Sequence, residues 1–407
     1  MTKIDNDILR ELAKRYLEVC AQPVQDERRD LWRRHNSLDH TRPLIYVRAF
    51  AWCEVPESQC FCEDPFLRSH ENGLRRSLYW ASLDDDSIFE PWLTVNAAWI
   101  APPEGPWGMK VGWIKGDDPR GARRMAPPIK APEDAKRLVR PRHVIDEAET
   151  ERRAARLHDA VGDILPVHVD HATLYRNWNG DISTCLAQLR GLDQLMLDMF
   201  ERPDWLHGVL AFMRDGILEA QEQAEAAGDW TLADQNNQAM PYAMGLEPPC
   251  LNGGSVTRDK LWYFCASQET TLLGPEQFDE FMFQYQQPIM EHFGLVAYGC
   301  CEDLTLKMPV VRKLPNLRRI AVAPVADVAK CAEQIGEDYV LSYRPSPSDM
   351  VGYDFDPDRV RKILRRDLAV CRGCHVDITL KDVETVQNDP VRVRQWVQIT
   401  REVLEGF

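Results

Sequence analysis

From residue 260 to the C-terminus the sequence alternates five times between a short apolar run and a longer amphipathic segment. The runs are "KLWYFCAS", "LVAYGC", "LRRIAVAP", "DYVLSYRP" and "HVDITLKD". Between and after them lie "PEQFDEFMFQYQQPIMEHF", "LTLKMPVVRKL", "DVAKCAEQIG", "DPDRVRKILRRDLAVCRG" and "DPVRVRQWVQITREVLEGF", all of helical pattern. Pro275 opens the first helix, Gly336 ends the third, and Asp356 with Pro357 opens the fourth, which Gly373 closes. Strand and helix in strict alternation require parallel strands joined by crossover helices. Further strands near residues 44, 93 and 164 bring the total to about eight, which predicts an α/β chain folded as a (β/α)8 TIM barrel. A doubly wound open sheet is the alternative, but no G-x-G-x-x-G follows any strand.

The N-terminal stretch reads as amphipathic helix over residues 5–40, so the chain divides into an N-terminal helical extension, 1–40, and a single barrel, 41–407. "DPFLRSHENGLRRSLYWASL" reads as a helix and "TCLAQLRGLDQLMLDMFERPDWLHGVLAFMRDGILEAQEQAEAAG" as one or two, interrupted at Pro203. Residues 101–130, rich in Pro and Gly, read as a long loop or hairpin excursion.

Charge and composition exclude several classes. With 49 Lys plus Arg against 64 Asp plus Glu, the net charge of −15 disfavours a nucleic-acid partner. No apolar run reaches the roughly 20 residues that span a bilayer, and the charged start lacks a signal-peptide core; a soluble, cytoplasmic protein is expected. Twelve cysteines in 407 residues are too sparse for a disulfide scaffold, and Cys53, Cys60 and Cys62 are read as structural.

In a barrel, reactive groups belong at the carboxyl ends of the strands. This selects His168, Asp170 and His171; Ser267, Gln268 and Glu269; Tyr298, Cys300, Cys301, Glu302 and Asp303; Pro324 and Asp327; Tyr343, Arg344 and Ser346; and Lys381 and Asp382. It sets aside Cys371 and Cys374, whose C-x-x-C lies at the start of a strand on the opposite rim. Adjacent residues on a strand face opposite ways, so one of Cys300 and Cys301 faces inward; at the strand's end either can turn. His168 and Asp170 share a face and suit either function or a structural pair. A carboxylate at Glu269 can act as acid, base or metal ligand, and Arg344 suits an anionic substrate group or a neighbouring acid.

The order and spacing of these segments resemble the uroporphyrinogen-decarboxylase-like superfamily over roughly residues 160–407. "LAQLRGLDQLMLDMFERPDWLHGVLAFMRDG" and "PEQFDEFMFQYQQPIMEHFG" are similar to its helices. "YGCCEDL" falls where its cobamide-dependent methyltransferases carry His-x-Cys-Gly, "SYRPSP" where they carry a Gly-Asn-x-x-Pro-like turn, and "LKDVETVQNDPVRVRQWV" where they carry Gly-Cys-Gly and the last helix. The resemblance implies zinc, which those enzymes hold by one His and two Cys. Here Cys300 matches the first cysteine, Tyr298 stands in the histidine slot, and Lys381 or Asp382 stands near the second cysteine.

The resulting expectation is a methyltransferase-like enzyme working with a corrinoid-carrying partner protein on a small substrate. Glu269, Glu302, Cys300 and Lys381 are its catalytic candidates. Arg344, His168, Tyr298, Tyr175 and Trp178 are the substrate-binding candidates, with Tyr175 and Trp178 roofing the pocket. Cys300, Cys301 and Asp382 are the metal-ligand candidates, and a homodimer is left open. The alternatives are a metal-independent decarboxylase of a tetrapyrrole or other polycarboxylate, for which Arg48 alone matches the N-terminal cation cluster, and a non-catalytic ligand-binding barrel.

Overall fold

The structure, a computed structural model, describes residues 3–116 and 123–406. Its strands are β1 (Leu44–Val47), β2 (Leu93–Asn96), β3 (Gly112–Lys115), β4 (Arg123–Ala126), β5 (Val167–Asp170), β6 (Trp262–Cys265), β7 (Leu295–Tyr298), β8 (Leu317–Val322), β9 (Val340–Tyr343) and β10 (His375–Leu380). The runs of the sequence thus become strands where alternation placed them. A curled sheet of six parallel strands has the order β1-β10-β9-β8-β7-β6, β2 pairs in parallel with β5, and β3 pairs antiparallel with β4. The last two make the 101–130 excursion a hairpin, and residues 117–122 of it lie outside the described residues.

Local chemistry accounts for the helices. Asp356 caps Pro357–Val370 by accepting the amides of Asp358 and Arg359, and Pro357 supplies a preset φ at the first position. Val360, Leu364 and Leu368 then line one buried stripe against the sheet. The expected helix from Pro275 runs as Pro275–Phe278, a π-helical turn Asp279–Phe283, and Gln284–Met290, the last with Pro288 inside it. The helix expected in "LTLKMPVVRKL" shrinks to the single turn Met308–Val311. Pro315 follows closely, and the residue before a proline avoids the helical region.

The expected ring is met in part. Among the described residues no ladder joins β1 to β2 or β5 to β6. Other groups hold those edges. Asp86 Oδ2 accepts the Ile45 amide at 2.7 Å and Asp85 Oδ2 accepts that of Val47 at 2.8 Å. The Asp86 amide donates to the Ile45 carbonyl at 2.8 Å, and the Trp80 indole donates to the Val47 carbonyl. Across the molecule, Gln235 Oε1 accepts the Trp262 amide at 2.8 Å. Edge amides satisfied in this way have no need of a further strand.

Two faces follow from the register. Ile45, Val296, Ile320, Leu341 and Ile378 face the helices and join the main core. The opposite face carries Ala321, Ser342 and Asp377 in one row. There Arg319 donates to Asp377 at 2.6 Å and to Ser342 Oγ at 3.0 Å, while His35 Nε2 lies 3.4 Å from the other Asp377 oxygen. His35 comes from the N-terminal helix Val24–Asn36, whose Trp32 packs with Leu44, Ile88 and Tyr242. The preceding helix, Lys3–Cys20, shares a second core with Leu67, Leu74, Val95 and Leu157. Both N-terminal helices are therefore packed into the body of the fold.

Candidate functional site

The alternation of β7 breaks at Gly299, whose φ of +98° is open to glycine and strained for other residues. A Cβ there would meet Leu304 Cδ1 at 2.8 Å and Ala321 Cβ at 3.1 Å. The break turns Cys300 inward, where it packs with Phe264 and Ala266. Tyr298, one turn of the pleat earlier, faces the other way: its hydroxyl donates to Gln286 and its ring sits between Phe278 and Phe283. The structure does not bring Tyr298 to the strand-end cluster.

Cys300 is buried and Cys301 exposed, with their sulfurs 3.7 Å apart. Lys381 Nζ, at the end of β10, lies 3.4 Å from the Cys300 sulfur and 2.9 Å from that of Cys301. The same ammonium bonds Asp382, whose backbone adopts a φ of +57°. Cys301 Sγ lies 3.5 Å from Asp382 Oδ2. The hydrogen bond from Cys301, with the charges of Arg344 and Lys381 nearby, brings the Cys300 thiol down to about 6 against the opposing effect of burial. That same hydrogen bond pushes Cys301 up, and burial adds to it. Burial alone would lower the Lys381 pKa, but the charge of Cys300 and the bond to Asp382 raise it.

Glu302 is a clamp. Its Oε2 accepts the Cys300 amide and its Oε1 the Ser267 amide, each at 2.7 Å, so it ties the end of β7 to that of β6. With each oxygen on a backbone amide it fixes the backbone that carries the thiol. Arg344, at the end of β9 and 2% exposed, donates to the Cys300 carbonyl at 2.7 Å. Its Nε has no hydrogen-bond partner, and no carboxylate pairs with it among the described residues. A buried guanidinium without a carboxylate partner suits an anionic group of a ligand.

Glu269 stands in the turn after β6. It accepts from Ser183 Oγ and Thr184 Oγ1, each at 2.9 Å, and from Gln268 Nε2 at 3.2 Å. Thr184 Oγ1 also lies 3.0 Å from Asp181 Oδ2, and Asp181 caps the helix Ile182–Arg190. Burial, then the neighbouring Glu269 charge, pushes Asp181 well above the carboxylate range. These neighbours were not among the candidates, although Asp-Ile-Ser-Thr has the form of a helix start.

The other candidates are dispersed. His168 Nε2 lies 3.9 Å from Asp234, and Arg176 bonds both Asp170 and Asp234, so His168 and Asp170 do not pair with each other. Tyr175 is buried, its hydroxyl donating to the Pro106 carbonyl. Trp178 is half exposed and packs edge-on against Phe264. It borders a cavity with Gln268 and Glu269.

Cys300, Cys301 and Asp382, placed as they are, do not fit a zinc ion. Lys381 Nζ lies against both sulfurs and the carboxylate, where a cation would have to sit. No group of three or more Cys, His, Asp or Glu among the described residues is arranged to hold a metal. Among these residues no helix is long and apolar enough to cross a membrane.

No protein-family model matches the sequence, and no curated protein matches it. The fold is similar to that of a solved methyltransferase from Methanosarcina mazei, with a TM-score of 0.52 and 12% sequence identity, covering 92% of this chain and 97% of that one. The chain therefore has a methyltransferase-like fold, of mixed α/β class with a curled sheet of parallel strands.

Proposed function

We propose that this chain is a methyltransferase-like enzyme of the uroporphyrinogen-decarboxylase-like superfamily, moving a methyl group to or from a small substrate in concert with a corrinoid-carrying partner protein. The likeness to a methyltransferase fold supports the class. One observation carries the chemistry: the inward Cys300 sulfur lies 3.4 Å from the Lys381 ammonium at the strand ends. A thiolate held at neutral pH is a soft nucleophile or soft contact for a methyl-bearing heteroatom. Lys381 supplies the positive charge that a metal supplies elsewhere.

The remaining residues set the geometry. Glu302 and Arg344 fix the backbone of Cys300 from either side. The charge of Arg344, which no carboxylate neutralises among the described residues, would draw an anionic group of the substrate. Glu269 presents a carboxylate to the cavity beside Trp178, able to hold a proton or face a positive charge. A corrinoid brought by the partner would supply the methyl-carrying group.

The test uses free methylcobalamin and reduced cobalamin in place of the partner protein, with small O-, S- and N-methyl compounds. The expected result is a change of corrinoid absorbance that requires the chain and is lost in Cys300→Ser. An unchanged spectrum, with carbon dioxide released from a polycarboxylate, would instead establish the decarboxylase.

A further inference from the structure

A cavity of about 390 Å³ opens beside Glu269, lined by Trp113, Met125, Trp178, Thr184, Gln268 and Glu269 among others. That volume suits a small molecule. We infer that this cavity binds a small permethylated ammonium compound, its cationic head lying against Trp113 and Trp178 and its charge facing Glu269.

The walls are aromatic and open. Trp113 and Trp178 are 51% and 37% exposed, although large rings of this kind are ordinarily drawn inside. Trp113 and Met125 are register partners on β3 and β4, so the hairpin presents both from one face. Trp178 reaches in from the loop after β5, held by its edge contact with Phe264. Aromatic faces attract a cation through their quadrupole, and Trp does so best. The polarizable thioether of Met125 adds an adaptable apolar contact.

The charge is complementary. Glu269 has no ion-pair partner among the described residues, and its three donors, Ser183, Thr184 and Gln268, are all neutral. The start of the helix Ile182–Arg190 lies at its back, which favours a carboxylate there. No Lys or Arg is found among the described residues lining the cavity. A primary ammonium would look for several hydrogen-bond acceptors. A permethylated one needs only a carboxylate at a distance and apolar surface around its methyl groups.

That this ligand is the methyl donor rests on the methyltransferase reading; that the cavity binds it does not. Calorimetric titration of the whole chain with choline and with its neutral tert-butyl isostere, dimethylbutanol, separates the two. Choline is expected to bind about tenfold more tightly than the isostere, and Trp178→Ala, Trp113→Ala and Glu269→Gln are each expected to weaken it by about tenfold. Trp113 is surface-exposed on a hairpin, so its variant remains informative if Trp178→Ala fails to fold. Equal affinity for the two compounds, no binding of choline, or binding indifferent to Trp113 and Glu269 overturns the inference. Binding without corrinoid-dependent turnover would leave this inference standing and remove only the methyl-donor role.

Discussion

Lys381 reaches Cys300 from the next-but-two strand of the sheet, its ammonium 3.4 Å from the sulfur and 2.9 Å from that of Cys301. The pair titrates as one unit in which Cys300 loses its proton first, at about 6, while Cys301 keeps its own. Thiolate absorbance should therefore rise with a midpoint near 6 as pH increases. Replacing Lys381 by Met removes a stabilising charge and should move that midpoint upward. Cys301→Ala should also move it upward, since a hydrogen bond from Cys301 is the largest cause of the shift. The sign for stability follows. A thiol lowered by folding contributes stability at pH above its unfolded value, roughly 8.5, and loses it as pH falls toward 6. A midpoint near that of a free thiol in the unaltered chain would contradict this account.

The same contact makes a prediction about metals. With the ammonium between the two sulfurs and Asp382, transition-metal chelators should leave the thiol midpoint unchanged. Elemental analysis of the purified chain should find zinc well below one atom per molecule. Stoichiometric zinc, lost on chelation and absent from Cys300→Ser, would show that Lys381 swings aside and that the thiols are ligands after all.

Much of the fold could be read from the sequence because its signals are local. Apolar runs such as "LVAYGC", with Pro and Gly between segments, mark parallel strands whose order then follows from the chain. Closure of the ring is not local. It depends on whether a strand or a side chain reaches the amides of Ile45 and Val47, and nothing local in "LDDDS" shows that Asp85 and Asp86 are the residues that reach them. The strand-end rule did collect Cys300, Glu302, Arg344 and Lys381, which meet in space. It could not foresee that Gly299 reverses the parity, leaving Tyr298 among phenylalanines and sending Cys300 inward. Arg319 and Asp377 carried a usable signal: each is a charged residue inside a strand, and such residues are buried only when paired.

Glu302 should be more sensitive to amide than to size. A glutamine has one oxygen, so in Glu302→Gln one of the two amides, of Ser267 or Cys300, is left facing an NH2 group. A buried donor without a partner costs about 1–3 kcal/mol. The expected outcome is a lower unfolding midpoint in urea, because the tie between the ends of β6 and β7 loosens. Glu302→Asp, which keeps both oxygens but shortens the reach, should fall between the two. Full stability in Glu302→Gln would show that the clamp is not what holds β6 and β7 together at their ends.

Asp377 governs the other end of the sheet. Burial would raise its pKa, but Arg319 at 2.6 Å and then His35 hold it down to about 2. A carboxylate lowered by folding gives its stability above the unfolded value, near 3.9, and that stability drains away as pH falls from about 4 toward 2. Breaking such a pair from one side leaves an unpaired buried charge and costs about 3–5 kcal/mol. Asp377→Ala strands the Arg319 guanidinium, whose Nε and Nη1 already lack partners, so it should destabilise the chain by that order. Replacing both, as in Arg319→Met with Asp377→Leu, removes the stranded charge and should recover most of the loss, although His35 is then left without its carboxylate. Chemical denaturation of the three variants at neutral pH and near pH 3 checks the argument. The unaltered chain should lose stability between those conditions, and the double variant should lose less, because the proton that Asp377 takes up on acid unfolding is no longer part of the balance.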